Sequence, residues 1–127
     1  MLDLSIVIVN WNVCDLLRRC LHSILSSGQQ PATSIEIIVV DNGSTDGSVE
    51  MVRAEFPGVR LIANADNRGF PAANNQGIAA ARGRYVLLLN PDTEVVGDAL
   101  ATMVAFADAH PDVGIVGPQL LNPDGSV

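Results

Sequence analysis

Four clusters of carboxylates and carboxamides each stand directly after an apolar run: Asn10-Trp11-Asn12, Asp41-Asn42, Asp66-Asn67 and Asn90-Pro91-Asp92. Groups of these types support two kinds of chemistry. Carboxylates hold a hard cation such as Mg²⁺ or Mn²⁺, which takes one or two of them and completes its shell with substrate phosphate oxygens. A carboxylate also accepts a hydrogen bond from the imide N–H of uracil or thymine. Adenine offers acceptors on its ring nitrogens and is not read in that way. Each cluster alone is ordinary turn chemistry. Their recurrence at the same place relative to a strand carries the signal.

The elements that must position them follow from spacing. Residues 4–9, 35–40, 59–63 and 85–89 read as strands, and the run Tyr85-Val86-Leu87-Leu88-Leu89 suggests burial on both faces. Pro91 cannot continue a ladder, so Asp92 falls just beyond the end of its strand. Val13, Leu16, Leu17, Cys20, Leu21, Ile24 and Leu25 keep helical spacing, with Asn12 suited to cap that helix and Gly28 to end it. A second helix starts near Ser44 or Asp46, turns Val49, Val52 and Phe56 inward, and stops at Pro57-Gly58. A third spans residues 70–82, with Pro71 in its first turn, a small inner face of Ala73, Gly77, Ala80 and Ala81, and Gly83 closing it. Asn74 and Asn75 are unusual inside a helix and read equally as polar groups near the loop mouth or as a solvated face. A fourth helix carries Val96, Leu100, Met103, Val104 and Ala107, with His110 in its last turn. Residues 113–121 read as a last strand, before a turn signal at 122–125. Alternating strands and helices imply right-handed crossovers and a mainly parallel sheet. All four polar clusters then emerge on one sheet edge, where open α/β sheets bind ligands.

Composition narrows the partners. The net charge is −7 and every one of the seven cations is arginine, which argues against nucleic acid. No run approaches the ~20 apolar residues of a membrane span. The start, Met1-Leu2-Asp3, lacks the basic region of a secretory signal. Cys14 and Cys20 read as reduced thiols of a cytoplasmic protein, and His22 as a solvated side chain. The phosphate loop GxxxxGK[ST], the dinucleotide pattern GxGxxG, a Ser-His-Asp order and HExxH are all absent.

Taken in order, Ile6–Asn12, Ile37–Ser48 with its Asp-Asn-Gly-Ser-Thr-Asp-Gly core, Asn67-Arg68-Gly69-Phe70, Ala73–Ile78 and Gly83–Thr93 resemble the N-terminal half of family 2 glycosyltransferases. The variants Asn-Gly-Ser-Thr-Asp-Gly, Gly-Phe and Asn-Pro-Asp-Thr resemble the rhamnosyltransferase branch. The resemblance implies a Rossmann-like, three-layer α/β/α fold of GT-A type, truncated, with residues 1–127 as one nucleotide-sugar-binding domain. It implies inverting, metal-dependent transfer from a UDP- or dTDP-sugar to a saccharide or lipid-linked acceptor. Val9, Asn10 and Trp11 would line the base pocket. Asp41 would read the base, and Asn67 and Gly69 would lie on a loop closing over the nucleotide. Asn90 would stand in the first position of the DxD motif, and Asp92 in its last, on Mg²⁺ or Mn²⁺. The family's general base and acceptor region are expected downstream of Val127, so this segment is expected to bind donor without transferring it.

Two other readings remain at this point. One is a catalytically inactive nucleotide-sugar-binding module. The other is a nucleotidyltransferase, which would need a glycine-rich basic loop after the first strand. The resemblance also places a later strand beside residues 85–89. Without it, the exposed edge suggests a homodimer paired edge to edge. Cytoplasmic placement, with a peripheral position at the inner face of a membrane as its variant, completes the expectations.

Overall fold

β-Branched residues dictate the centre of the sheet. In the computed structural model, which describes residues 2–27, 33–122 and 124–126, strand β1 (Leu4–Asn10) is buried along its whole length. It pairs in parallel with β2 (Ile35–Asp41) on one side and β4 (Tyr85–Leu89) on the other, and β3 (Arg60–Ala63) extends the sheet beyond β2. The order is β3-β2-β1-β4. Side chains alternate between the faces. Leu4, Ile6 and Ile8 of β1, with Ile37 and Val39 of β2, meet helices α1 (Cys14–Ser26), α2 (Ser48–Glu55) and α4 (Ala99–Ala109) through Leu17, Leu21, Val52, Leu100 and Val104. On the opposite face, Val9, Ile38 and Val40 meet Ala73 of α3 (Phe70–Ala80).

The chain winds outward through β1, β2 and β3, then returns across the opposite face to place β4 on the far side of β1. Strand order therefore reverses between β1 and β4. That reversal opens a crevice at the carboxyl ends of the strands. Helix α3 lies very close to the sheet, because Gly77 faces Val7 and a Cβ there would overlap Val7 Cγ1.

Several expectations are corrected. β4 is not buried on both faces. Leu87 and Leu89 join the larger core, but Val86 and Leu88 are 42% and 50% exposed. Their face lies beside α3, which packs over β1 and β2 and leaves the β4 flank open. Residues 113–121 form no strand; Gly114, Gly117 and Pro118 weaken ladder pairing there. Among the described residues, β4 is thus paired on one side only.

Helix boundaries also shift. Val13 and not Asn12 precedes α1, because Asn12 adopts a left-handed φ of 55° and its Oδ1 accepts a hydrogen bond from Thr45 N. Gly28, expected to end α1, lies outside the described residues. Helix α2 begins at Ser48, later than expected, since Ser44 and Asp46 are committed to loop contacts. Helix α3 ends at Ala80, ahead of Gly83, and α4 begins after Val96, which is 66% exposed. His110 closes α4 with its ring stacked on Phe106 and Nδ1 against Phe106 O. His22 is exposed, with its ring edge against Phe56.

Candidate functional site

The loops at the carboxyl edge are built around one buried carboxylate. Asp41 ends β2 and is 1% exposed. Its Oδ1 accepts from Asn10 Nδ2 (3.0 Å) and Ser44 Oγ (2.7 Å), and its Oδ2 from Ser44 N (2.8 Å). A carboxylate offers about four lone-pair sites, so one remains on Oδ2. Ser44 Oγ also accepts from Asn12 N (2.9 Å), joining the loop after β1 to the loop after β2. Asp46 completes the junction by accepting from Cys14 N, at the start of α1, and from Ser48 N, at the start of α2. Burial pushes the Asp46 carboxyl up, but the bonds from Ser48 and Cys14 outweigh it and leave the pKa below the ordinary value. Asn10 is fully buried, and its Oδ1 has no hydrogen-bond partner among the described residues.

The loop after β4 is pinned to α1. Thr93 Oγ1 and N donate to Asn90 O, Val95 N donates to Ser23 Oγ, and the Cys20 thiol approaches Asn90 O at 3.9 Å. Burial pushes the Cys20 thiol up to about 11, which keeps it protonated and able to donate. These contacts fix the loop that displays Asp92.

Between the loops lies a crevice of about 380 Å³. Val9, Trp11, Val13 and Leu16 line it from the β1–α1 side, Asn42, Asn67 and Phe70 from another, and Asn90, Pro91 and Asp92 from the β4 side. Trp11 and Phe70 are both 54% exposed. They offer aromatic faces of the kind on which a nucleobase stacks. The volume falls within the range of small-molecule sites.

Of the residues singled out from sequence, Val9, Trp11, Asn67, Asn90 and Asp92 meet in this crevice. Asn10 and Asp41 stand behind its wall, fully or almost fully buried. Gly69, at φ 84°, sits at the start of α3 and accepts from Asn42 Nδ2 through its carbonyl. Sequence reasoning passed over Phe70 as a lining residue, and over Asn64 and Gln76, whose paired carboxamides brace the 64–69 loop. A polar residue at the end of a strand was the available sign for Asn64. Gln76, mid-helix, gave none.

Among the described residues no three His, Cys, Asp or Glu side chains gather as a metal cluster. Asp92 is exposed at the crevice and is its one lining carboxylate. That donor set fits Mg²⁺ or Mn²⁺ held by one protein carboxylate together with substrate phosphates, and does not fit an all-protein cage. No helix among the described residues is long and apolar enough to cross a membrane.

A parallel doubly wound sheet with this crevice defines an α/β domain of GT-A type, and comparison with known proteins supplies the family. Residues 5–126 match Glycosyl transferase family 2, and the chain belongs to that family. It is 40% identical over 108 residues to the succinoglycan biosynthesis protein ExoO of Rhizobium meliloti, covering 84% of this chain and 30% of that protein. It is 29% identical over 135 residues to the N-acetylglucosaminyl-diphospho-decaprenol L-rhamnosyltransferase of Mycobacterium tuberculosis, covering 98% of this chain and 43% of that protein. The chain therefore spans less than half of the length of each of these relatives. Staphylococcus aureus TarS in complex with UDP superposes with a TM-score of 0.77 at 25% identity, over 87% of this chain and 33% of that one. The mannosyltransferase PcManGT of Pyrobaculum calidifontis, in complex with GDP-Man and Mn²⁺, shares the fold with a TM-score of 0.72 at 24% identity, over 83% of this chain and 32% of that one.

Proposed function

We propose that this domain binds the UDP or dTDP portion of a nucleotide-sugar together with a divalent cation, as the donor half of an inverting glycosyltransferase. The observation that carries the reading is the crevice at the β1/β4 reversal, where Trp11, Asn67, Asn90 and Asp92 converge. The base enters between Val9 and the aromatic faces. Asp41 stands behind the crevice wall, and the remaining site on its Oδ2 accepts the imide N–H of uracil or thymine once the wall opens to the base. Asn90 faces the ribose and diphosphate side, and Asp92 holds the cation. The UDP-bound TarS neighbour and the rhamnosyltransferase relative support this donor class.

The cation, when bound, offsets the charge developing on the diphosphate as the sugar departs. A hydroxyl oxygen of a saccharide or lipid-linked acceptor attacks the anomeric carbon. The bond from that carbon to the diphosphate oxygen breaks, and the nucleoside diphosphate leaves with the electron pair. The acceptor proton passes to a general base. Because Asp92 is committed to the cation, a different residue serves as that base. The open edge of β4 supports pairing between two copies. Sedimentation at low micromolar concentration tests this, and a clean monomer removes it.

Thermal unfolding tests the donor reading. A ligand present at a hundredfold its dissociation constant adds about 2.7 kcal/mol to the native state. UDP or dTDP with Mn²⁺ is expected to raise Tm by several degrees, and ADP by less. Equal shifts for ADP and UDP would remove base reading by Asp41.

A further inference from the structure

The loop of residues 64–69, which sets Asn67 in the crevice wall, is held by a relay of three carboxamides. Gln76 of α3 exchanges two hydrogen bonds with Asn64, Nε2 to Oδ1 at 2.9 Å and Nδ2 to Oε1 at 2.8 Å. Asn64 Nδ2 also donates to Asn42 Oδ1 at 3.1 Å. Asn42 then grips the loop at two points: its Oδ1 accepts from Arg68 N at 3.4 Å, and its Nδ2 donates to Gly69 O at 3.2 Å. Asn42 and Asn64 are 2% and 8% exposed, so their bonds are made away from water and each unmade one would be costly. On the other flank, Gly43 at φ 83° leaves room for the backbone of Asp66, which a Cβ would meet at 3.0 Å. The loop is clamped from both sides before any ligand arrives.

We propose that Gln76 and Asn64 are positioning residues that preorganise the 64–69 loop, and with it Asn67, for nucleotide binding. This rests on the donor-site reading above. Neither residue lines the crevice; both act through Asn42. The orientation of each amide follows from the chain of donors and acceptors. Asn64 must present its N–H₂ group to Asn42, and that requires Gln76 to meet both ends of the Asn64 amide. A preorganised loop spares the bound state the entropy of ordering it. A glutamate at position 76 can accept from Asn64 Nδ2, but can donate to Asn64 Oδ1 only when protonated.

Amide hydrogen exchange with and without UDP and Mn²⁺ tests the proposal on three variants. In free Gln76→Leu, loss of two bonds of ordinary strength is expected to speed exchange at Arg68 and Gly69 on the order of tenfold, with β1 amides unchanged. UDP affinity falls by a similar factor, and bound UDP restores protection at Arg68 and Gly69. Gln76→Glu recovers most of the wild-type affinity, relative to wild type at the same pH, when the pH is lowered until the side chain is protonated. Asn64→Asp, which keeps the acceptor for Gln76 but loses the donor to Asn42, matches Gln76→Leu. Unchanged exchange at Arg68 and Gly69 overturns the proposal, as does faster exchange with unchanged UDP affinity. A uniform rise that includes β1 shows a role in global stability and also overturns it. A wild-type chain that binds no nucleoside diphosphate refutes the donor-site reading and, with it, the nucleotide role assigned to the relay. The exchange rates of the free protein still decide separately whether Gln76 and Asn64 hold the loop.

Discussion

Replacing Gly77 by alanine tests whether the close approach of α3 to the sheet is a structural requirement. By helix propensity alone, alanine gains about 1 kcal/mol over glycine in a helix interior. The structure opposes that gain. The new Cβ would overlap Val7 Cγ1 and stand 3.2 Å from Cγ2 and 3.3 Å from Cβ. Val7 is fully buried on the central strand, and its β-branched side chain has little rotamer freedom with which to yield. Overpacking of this kind costs roughly 1–3 kcal/mol, and the stiffness of Val7 argues for the upper part of that range. The expected net effect is a loss of about 1–2 kcal/mol after the propensity gain. With a urea m-value of about 2 kcal/mol/M, in the middle of the usual range, the midpoint falls by about half to one molar. The double variant Val7→Ala/Gly77→Ala gives the new methyl room. Its cost is therefore expected to be smaller than the sum of the single costs, with a coupling of about 1 kcal/mol or more. A midpoint that rises in Gly77→Ala, as propensity alone demands, would refute the argument.

Asp92→Ala is expected to remove the Mn²⁺ dependence of UDP binding while leaving Tm within a degree or two, since Asp92 is exposed and not part of the core. Titration calorimetry with and without the cation reads both effects. Asp41→Ala is expected to weaken UDP with or without Mn²⁺ and to lower stability, because Asn10 Nδ2, Ser44 Oγ and Ser44 N lose their acceptor. Glu36 is also held below the ordinary carboxylate range: burial pushes it up, but bonds from Ser5 Oγ, Arg82 N and Arg60 outweigh this. Asp46 behaves alike. Folded pKa values below the unfolded ones give stability that is complete above the unfolded values near pH 4 and lost as pH falls through the folded ones. Thermal scans should therefore be flat from pH 8 to 6 and fall below about pH 4, and Asp46→Asn should flatten the acid limb.

The strands were legible because Ile6–Val9 and Ile37–Val40 are continuous β-branched runs, and the closeness of α3 was legible in Ala73 and Gly77. Their polarity also foretold that the four polar loops share one edge. The exposure of Val86 and Leu88 was not legible. A run of aliphatic residues records that a strand is apolar, and does not record which neighbour covers each face. Asn12 and Ser44 show a second limit. Local propensity assigns both to helix caps, yet each is taken by a partner more than thirty residues away. Likewise nothing local distinguishes Gln76 from its helical neighbours, because its partner Asn64 belongs to another loop.

Mapping UDP onto the chain by amide chemical shifts in the presence of Mg²⁺ tests the central claim most directly. The account predicts that the largest changes fall at Val9–Asn12, Asn42, Asn67–Phe70 and the Asn90–Thr93 turn, with Glu36 and Arg82 at the opposite end of the sheet unmoved. Changes confined to the separate groove between α4 and residues 113–119 would contradict it.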